Sequence, residues 1–194
     1  MFETLFSPIH INKTQIKNRI VYPSMGVLYS QDGKLNDRYL NYYVEKARGG
    51  AGIVTVGPVG IDESAIGHFT PQLDNDDAIE SFSLLARAIQ AAGAKAWVQL
   101  MHAGAYARPE YMGGTQPVAP SPVYSQYSKA EAREMTLDEI KAVQEDFVKS
   151  AARAKMAGFD GVEIIGSAGY LICQFLSPLR NRRQDEYGGS FENR

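Results

Sequence analysis

The chain has 194 residues, 44% of them hydrophobic and 22% charged, with 20 Lys and Arg against 22 Asp and Glu for a net charge of −2. This is the makeup of a globular α/β chain able to bury a core, and its dispersed charge leaves no electrostatic footprint for nucleic acid or an anionic membrane surface. The single cysteine, Cys173, and three scattered histidines, His10, His68 and His102, exclude an internal disulfide framework, a CxxC pair and a cysteine-ligated metal centre within these residues, so no metal site is expected and small molecules are the expected partners.

The first residues, MFETLFSPIHINKTQIKNRI, lack a basic stretch followed by an apolar one, and no later run approaches the ~20 apolar residues of a membrane span, so a cytoplasmic location is expected. A short strand is predicted over 19–22, followed by Pro23, Ser24, Met25 and Gly26, of which Pro-Ser and Gly favour a turn. Asn36 then caps a predicted helix whose buried face carries Tyr39, Tyr43 and Ala47. The stretch ARGGAGIVTV (47–56) closes that helix with small residues and opens a second strand at 53–56. Gly57 and Pro58 leave it for a long polar loop over 57–79. Phe82, Leu85 and Ile89 mark a second helix, which Gly93 is expected to end. The same junction recurs as AAGAKAWVQL (91–100), giving a strand at 96–100, and a second long loop covers 103–135. Thr136 and Glu139 form a capping box before a third helix bearing Ile140, Val143, Phe147, Ala151 and Ala154. MAGFDGVEII (156–165) repeats the junction once more, with a strand at 162–165.

Short β-branched strands alternating with helices predict parallel strands buried on both faces. Long loops after strands place chemistry at the strands' C-terminal ends, as in (β/α)8 barrels. Four strands and three helices amount to half of such a barrel, whose usual length is about 250 residues or more. The chain is therefore expected to be the N-terminal half of a barrel domain over 1–194.

The run GYLICQFLSPLRNRRQDEYGGSFENR (169–194), together with LFSPIHINKTQIKNRIVYPSM (5–25), QLMHAGA (99–105) and PVAPSPV (117–123), resembles the Old Yellow Enzyme, or NADH:flavin oxidoreductase, superfamily along the whole chain. The resemblance implies a (β/α)8 TIM barrel that binds FMN, takes electrons from NAD(P)H and forms a homo-oligomer. It implies that Pro23, Ser24, Met25 and Gly26 lie against the flavin ring, that the backbone of Gly57 and Pro58 approaches its pyrimidine edge, and that the Gln99 carboxamide pairs with that edge. Such a carboxamide donates and accepts at once. Tyr170 matches the family tyrosine that donates a proton, while His102 is expected to be structural, as are Arg182, Arg183, Asp185 and Tyr187. Solvated charge is a further expectation for Arg183 and Gln184.

Pro23-Ser24-Met25 stands where the family more commonly has Ala-Pro-Met, and two positions before Tyr170 also depart. Many members place a His and an Asn or His where this chain has Ile165 and Ala168, and neither of these can donate a hydrogen bond to a substrate carbonyl. EIIGSAGYL is similar instead to the bacterial 2,4-dienoyl-CoA reductase and 2-enoate reductase branch, whose members continue with 4Fe-4S, FAD and nicotinamide-binding regions that these residues do not supply. Reduction of the C=C bond of an unsaturated acyl compound, an enoate or enoyl-CoA, is the expected activity. The alternatives are an alkylamine dehydrogenase of the same barrel, with Tyr106, Tyr111 and Tyr124 as a candidate cation cage, and an inactive fragment that exposes two sheet edges.

Overall fold

The computed structural model describes residues 2–66 and 70–194, so His68 lies outside the described residues. The centre of the fold is a parallel sheet of β3 (Val21–Tyr22), β4 (Ile53–Gly60), β5 (Lys95–Met101) and β9 (Gly161–Ile164), in the order β3-β4-β5-β9. Spatial order follows chain order, as successive βα units produce. The sheet is open. Among the described residues no strand pairs with the outer edges of β3 and β9, where Val21 is 51% and Ile164 52% exposed. β3 is shorter than the predicted 19–22, and β4 runs on past Gly57 and Pro58 with a break in register between Val56 and Val59.

The predicted helices are α2 (Asp37–Arg48), α4 (Ile79–Ala91) and α5 (Leu137–Met156). Asn36 accepts from the Tyr39 N–H at 3.0 Å. At the start of α5, Thr136 and Glu139 exchange the reciprocal bonds of a capping box. Arg133 also grips Glu139, which holds that carboxyl down to about 2. Gly93 sits two residues beyond α4 at φ +91°, a left-handed conformation that glycine adopts without strain. Tyr43, Ala47, Phe82, Leu85 and Ile89 pack on Val54, Val56, Ala96 and Val98 of the sheet, forming the main core. Each large apolar side chain buried there contributes about 1.5–3 kcal/mol. By strand alternation, Thr55, Gly57, Trp97, Gln99 and Glu163 face the other side of the sheet.

Several elements carry too little periodicity to be read from sequence. The short helix α1 (Glu3–Phe6) precedes an antiparallel hairpin of β1 (Ile9–Ile11) and β2 (Thr14–Ile16) that turns at Asn12 with φ +54°. Ile16 of this hairpin is buried against Gly52, where a Cβ would stand only 2.9 Å from the Ile16 side chain. The short helix α3 (Glu63–Ile66) follows β4. The predicted loop 103–135 folds into a small sheet in which β8 (Ala130–Glu134) lies between β6 (Val118–Ala119) and β7 (Val123–Ser125). After β9 comes α6 (Leu171–Leu176).

Candidate functional site

The C-terminal ends of β3, β4 and β5 converge at Gly57. Its φ is +135°, and a Cβ there would stand 2.9 Å from the Gln99 carbonyl oxygen and 3.2 Å from both Gln99 Cβ and Ser24 Oγ. Only glycine fits. The buried phenol of Tyr43, reaching up from α2, clips the two neighbouring strand ends together: its Oη accepts from Gly57 N–H at 3.1 Å and lies 3.0 and 3.1 Å from the carbonyls of Gly57 and Met25, with one proton to share between them. Burial raises the phenol's pKa, so this proton stays in place through neutral pH.

Ser24 Oγ is buried beside this junction without a hydrogen-bond partner. Met25 and Pro23 are exposed, while Gly26 faces Pro58, whose Cδ would lie 3.8 Å from an added Cβ. Gln99 is buried and donates to the Glu163 carboxylate, its register partner on β9. Its partner therefore sits on the neighbouring strand. Sequence reasoning passed over Glu163; alternation within β9 was the one signal that pointed it to the same face.

Above β5, His102 is buried. Its Nδ1 accepts from Gly104 N–H at 3.0 Å and its Nε2 lies 3.4 Å from Ser64 Oγ, which donates to Asp62 at 2.6 Å. That arrangement fits the neutral ring with its proton on Nε2, and burial lowers the pKa despite Asp62 and Asp146 nearby. The His102 carbonyl accepts from Leu171 N–H, tying β5 to the start of α6. Gln174 completes the tie by accepting from Ala105 N–H and donating to the carbonyls of Ala103 and Gly169. Gly169, at φ +79°, lets Tyr106 come within 2.8 Å of where its Cβ would be.

Tyr170 occupies the position just before α6, with its ring set edge-on to Tyr106 at 6.1 Å. Burial, followed by the neighbouring Tyr127 and Tyr106, raises its pKa, so it is a protonated phenol at neutral pH. Tyr170 shares a cavity of about 360 Å³ with Gly26, Pro58, Tyr106, Tyr111 and Tyr127, and Arg108 also lines it. The structure thus brings three of the predicted residues, Gly26, Pro58 and Tyr170, to one cavity; Ser24, Gly57 and Gln99 meet at the neighbouring strand junction. Tyr127 was missed and stands where Tyr124 was expected: Tyr124 lies on β7, 45% exposed, and does not line the cavity. Ala168 has φ +58°, a conformation that costs an alanine about 1–2 kcal/mol.

Arg182, Arg183, Asp185 and Tyr187 form a structural knot. Arg183 is not solvated: its side chain is buried, binds Asp185 through two nitrogens, and donates to the carbonyls of Pro120 and Met135. Arg182 holds the Pro122 carbonyl, and Asn181 bridges Phe175 and Tyr187. These bonds fasten the segment after α6 to the small sheet.

Residues 4–194 match the model of the NADH:flavin oxidoreductase / NADH oxidase family. The chain belongs to this family. It is 47% identical over 190 residues to a metal reductase of Desulforamulus reducens, covering 98% of this chain and 28% of that protein. With an NADPH dehydrogenase of Bacillus subtilis it shares 40% identity over 199 residues, covering 100% of this chain and 57% of the relative. Among solved structures, a 2-naphthoyl-CoA reductase in complex with 2-naphthoyl-CoA superposes with a TM-score of 0.93 at 33% identity, covering 100% of this chain and 32% of the other. The chain thus spans between about a quarter and a little over half the length of these relatives, and its open four-strand sheet is the corresponding part of a TIM barrel.

Proposed function

We propose that residues 1–194 form the N-terminal half of an FMN-binding barrel and supply the cofactor-facing strand ends and a proton donor for reducing the C=C bond of an α,β-unsaturated acyl compound, with NAD(P)H as electron source. The observation that carries this reading is the meeting of Gly26, Pro58 and Tyr170 on one cavity beside the Ser24, Gly57 and Gln99 junction.

The residues fit FMN. Ser24 offers a buried hydroxyl with no protein partner, glycine at 57 lets backbone come close, and Gln99 keeps its carbonyl and one N–H available beyond the bond to Glu163. Pro23, Ser24, Met25, Gly26, Gly57, Pro58 and Gln99 would hold the ring. Bound there, FMN would supply hydride chemistry at its N5. Tyr170 holds a proton on Oη, kept there by burial, and delivers it to the substrate carbon next to the carbonyl. Arg108 in the cavity wall works against the amine reading, because like charge in the wall disfavours a cationic ligand.

Titrating FMN into the chain while following flavin fluorescence tests the reading. Saturable quenching is expected, and in the flavin-loaded, full-length enzyme Tyr170→Phe should slow substrate reduction while sparing flavin reduction by NAD(P)H. Absence of quenching would mean that contacts outside these residues are indispensable for binding, and FMN affinity of the full-length enzyme unchanged by Gln99→Ala would remove Gln99 from the cofactor site.

A further inference from the structure

We infer that Arg108 is an anion-recognising residue of the Tyr170 cavity, and that the cavity takes a flat conjugated acyl group carrying an oxyanion, either its own carboxylate or a phosphate of an attached carrier. This rests on the reading of that cavity as the substrate site.

Three observations carry it. The walls are aromatic on several sides: Tyr106 lies 5.3 Å from Tyr127 and 6.1 Å from Tyr170, centroid to centroid, and Tyr111 also lines the space. Surfaces of this kind favour a planar, polarisable ligand over a branched aliphatic one. The charge in the wall has one sign. Arg108 is the lining residue with a full charge among those described, and no Asp or Glu joins it. Its contact with Glu110 is long, 3.7 Å, and both side chains are well exposed, so that pair competes weakly for the guanidinium, as does the Tyr127 face 5.1 Å away. Finally, in the segment just after β9, Ile165 and Ala168 stand where the family resemblance places a donor pair, and neither side chain can donate. Orientation then has to come from elsewhere in the wall, and the fork of a guanidinium is suited to carboxylate or phosphate oxygens.

The test is calorimetric titration of the folded chain with four probes: cinnamate, methyl cinnamate, cinnamoyl-CoA and cinnamyl-trimethylammonium. The expected result is at least about tenfold tighter binding of cinnamate or cinnamoyl-CoA than of the neutral ester, the ratio one charge-assisted hydrogen bond supports, and no preference for the cation. Arg108→Gln should erase the preference and Arg108→Lys should keep part of it. Preference for cinnamate assigns the oxyanion to the substrate's own carboxylate, and preference for the thioester assigns it to the carrier. Equal binding of anion and neutral ester, binding of none of the four, or a preference that survives Arg108→Gln overturns the inference. An FMN titration of the same samples separates this from failure of the cofactor reading, because anion preference without FMN binding would leave the assignment of Arg108 intact.

Discussion

Residues 169–187, which follow β9, and the C-terminal ends of β3, β4 and β5 border the same cavity, yet they treat buried polar atoms in opposite ways. In the first region Gln174, Asn181 and Arg183 direct their donors and acceptors to backbone groups of three different segments. In the second, the Ser24 hydroxyl is buried without a partner, and so are Thr55 Oγ1 and Trp97 Nε1 lower on the same strands. Buried polar groups are nearly always paired in folded proteins, so the fully bonded region behaves as scaffold and the under-bonded one as the place where function and strain concentrate. The signature run that first identifies the family is thus mostly scaffold. In the proposed reading the chemistry falls to Tyr170 at its start and to strand ends whose side chains say little by themselves.

The largest effect should come from the scaffold. Arg183→Met leaves the buried carbonyls of Pro120 and Met135 without their donor and Asp185 without its guanidinium partner, and should cost about 2–4 kcal/mol in urea unfolding. A loss below about 1 kcal/mol would end the contrast between the two regions. Tyr43→Phe removes the clip between Met25 and Gly57 and should cost about 1–3 kcal/mol. It should also weaken FMN binding in the fluorescence titration, whereas an equally destabilising substitution on the exposed face of α2 should leave FMN affinity alone.

A third prediction concerns pH. The folded pKa of His102 is below its ordinary 6.5, so between those values the unfolded chain binds the extra proton. Stability from this group is therefore complete above about pH 6.5 and falls as pH drops toward the folded value, by up to about 1.4 kcal/mol per pH unit. His102→Gln should flatten that slope in unfolding curves measured from pH 7.5 to 5; an unchanged slope would place the titration elsewhere. The smallest effect should be a gain. Ala168→Gly relieves a left-handed alanine and should stabilise the fold by about 1 kcal/mol, read as a rise in Tm.

Periodicity and junction chemistry were enough to read α2, α4 and α5, the caps at Asn36 and Thr136, and the four parallel strands in their order, because each depends on residues within one or two turns of chain. Tyr170, Gly57 and Gln99 were singled out as candidates through motif resemblance, and the structure brings the small residues at the strand ends into the close approach they permit. The small sheet inside 103–135 was not legible, since β6, β7 and β8 are too short to show alternation. Nor could sequence show that Arg183 is buried: a guanidinium reads as surface until carbonyls some 50 to 60 residues away are seen to surround it. The replacement of Tyr124 by Tyr127, the Tyr43 clip and the pairing of Gln99 with Glu163 were decided by tertiary structure alone. Local sequence sets which residues can form a helix or a strand, but which side chains meet across 14, 18 or 64 residues depends on how the strands register and how the loops close over them.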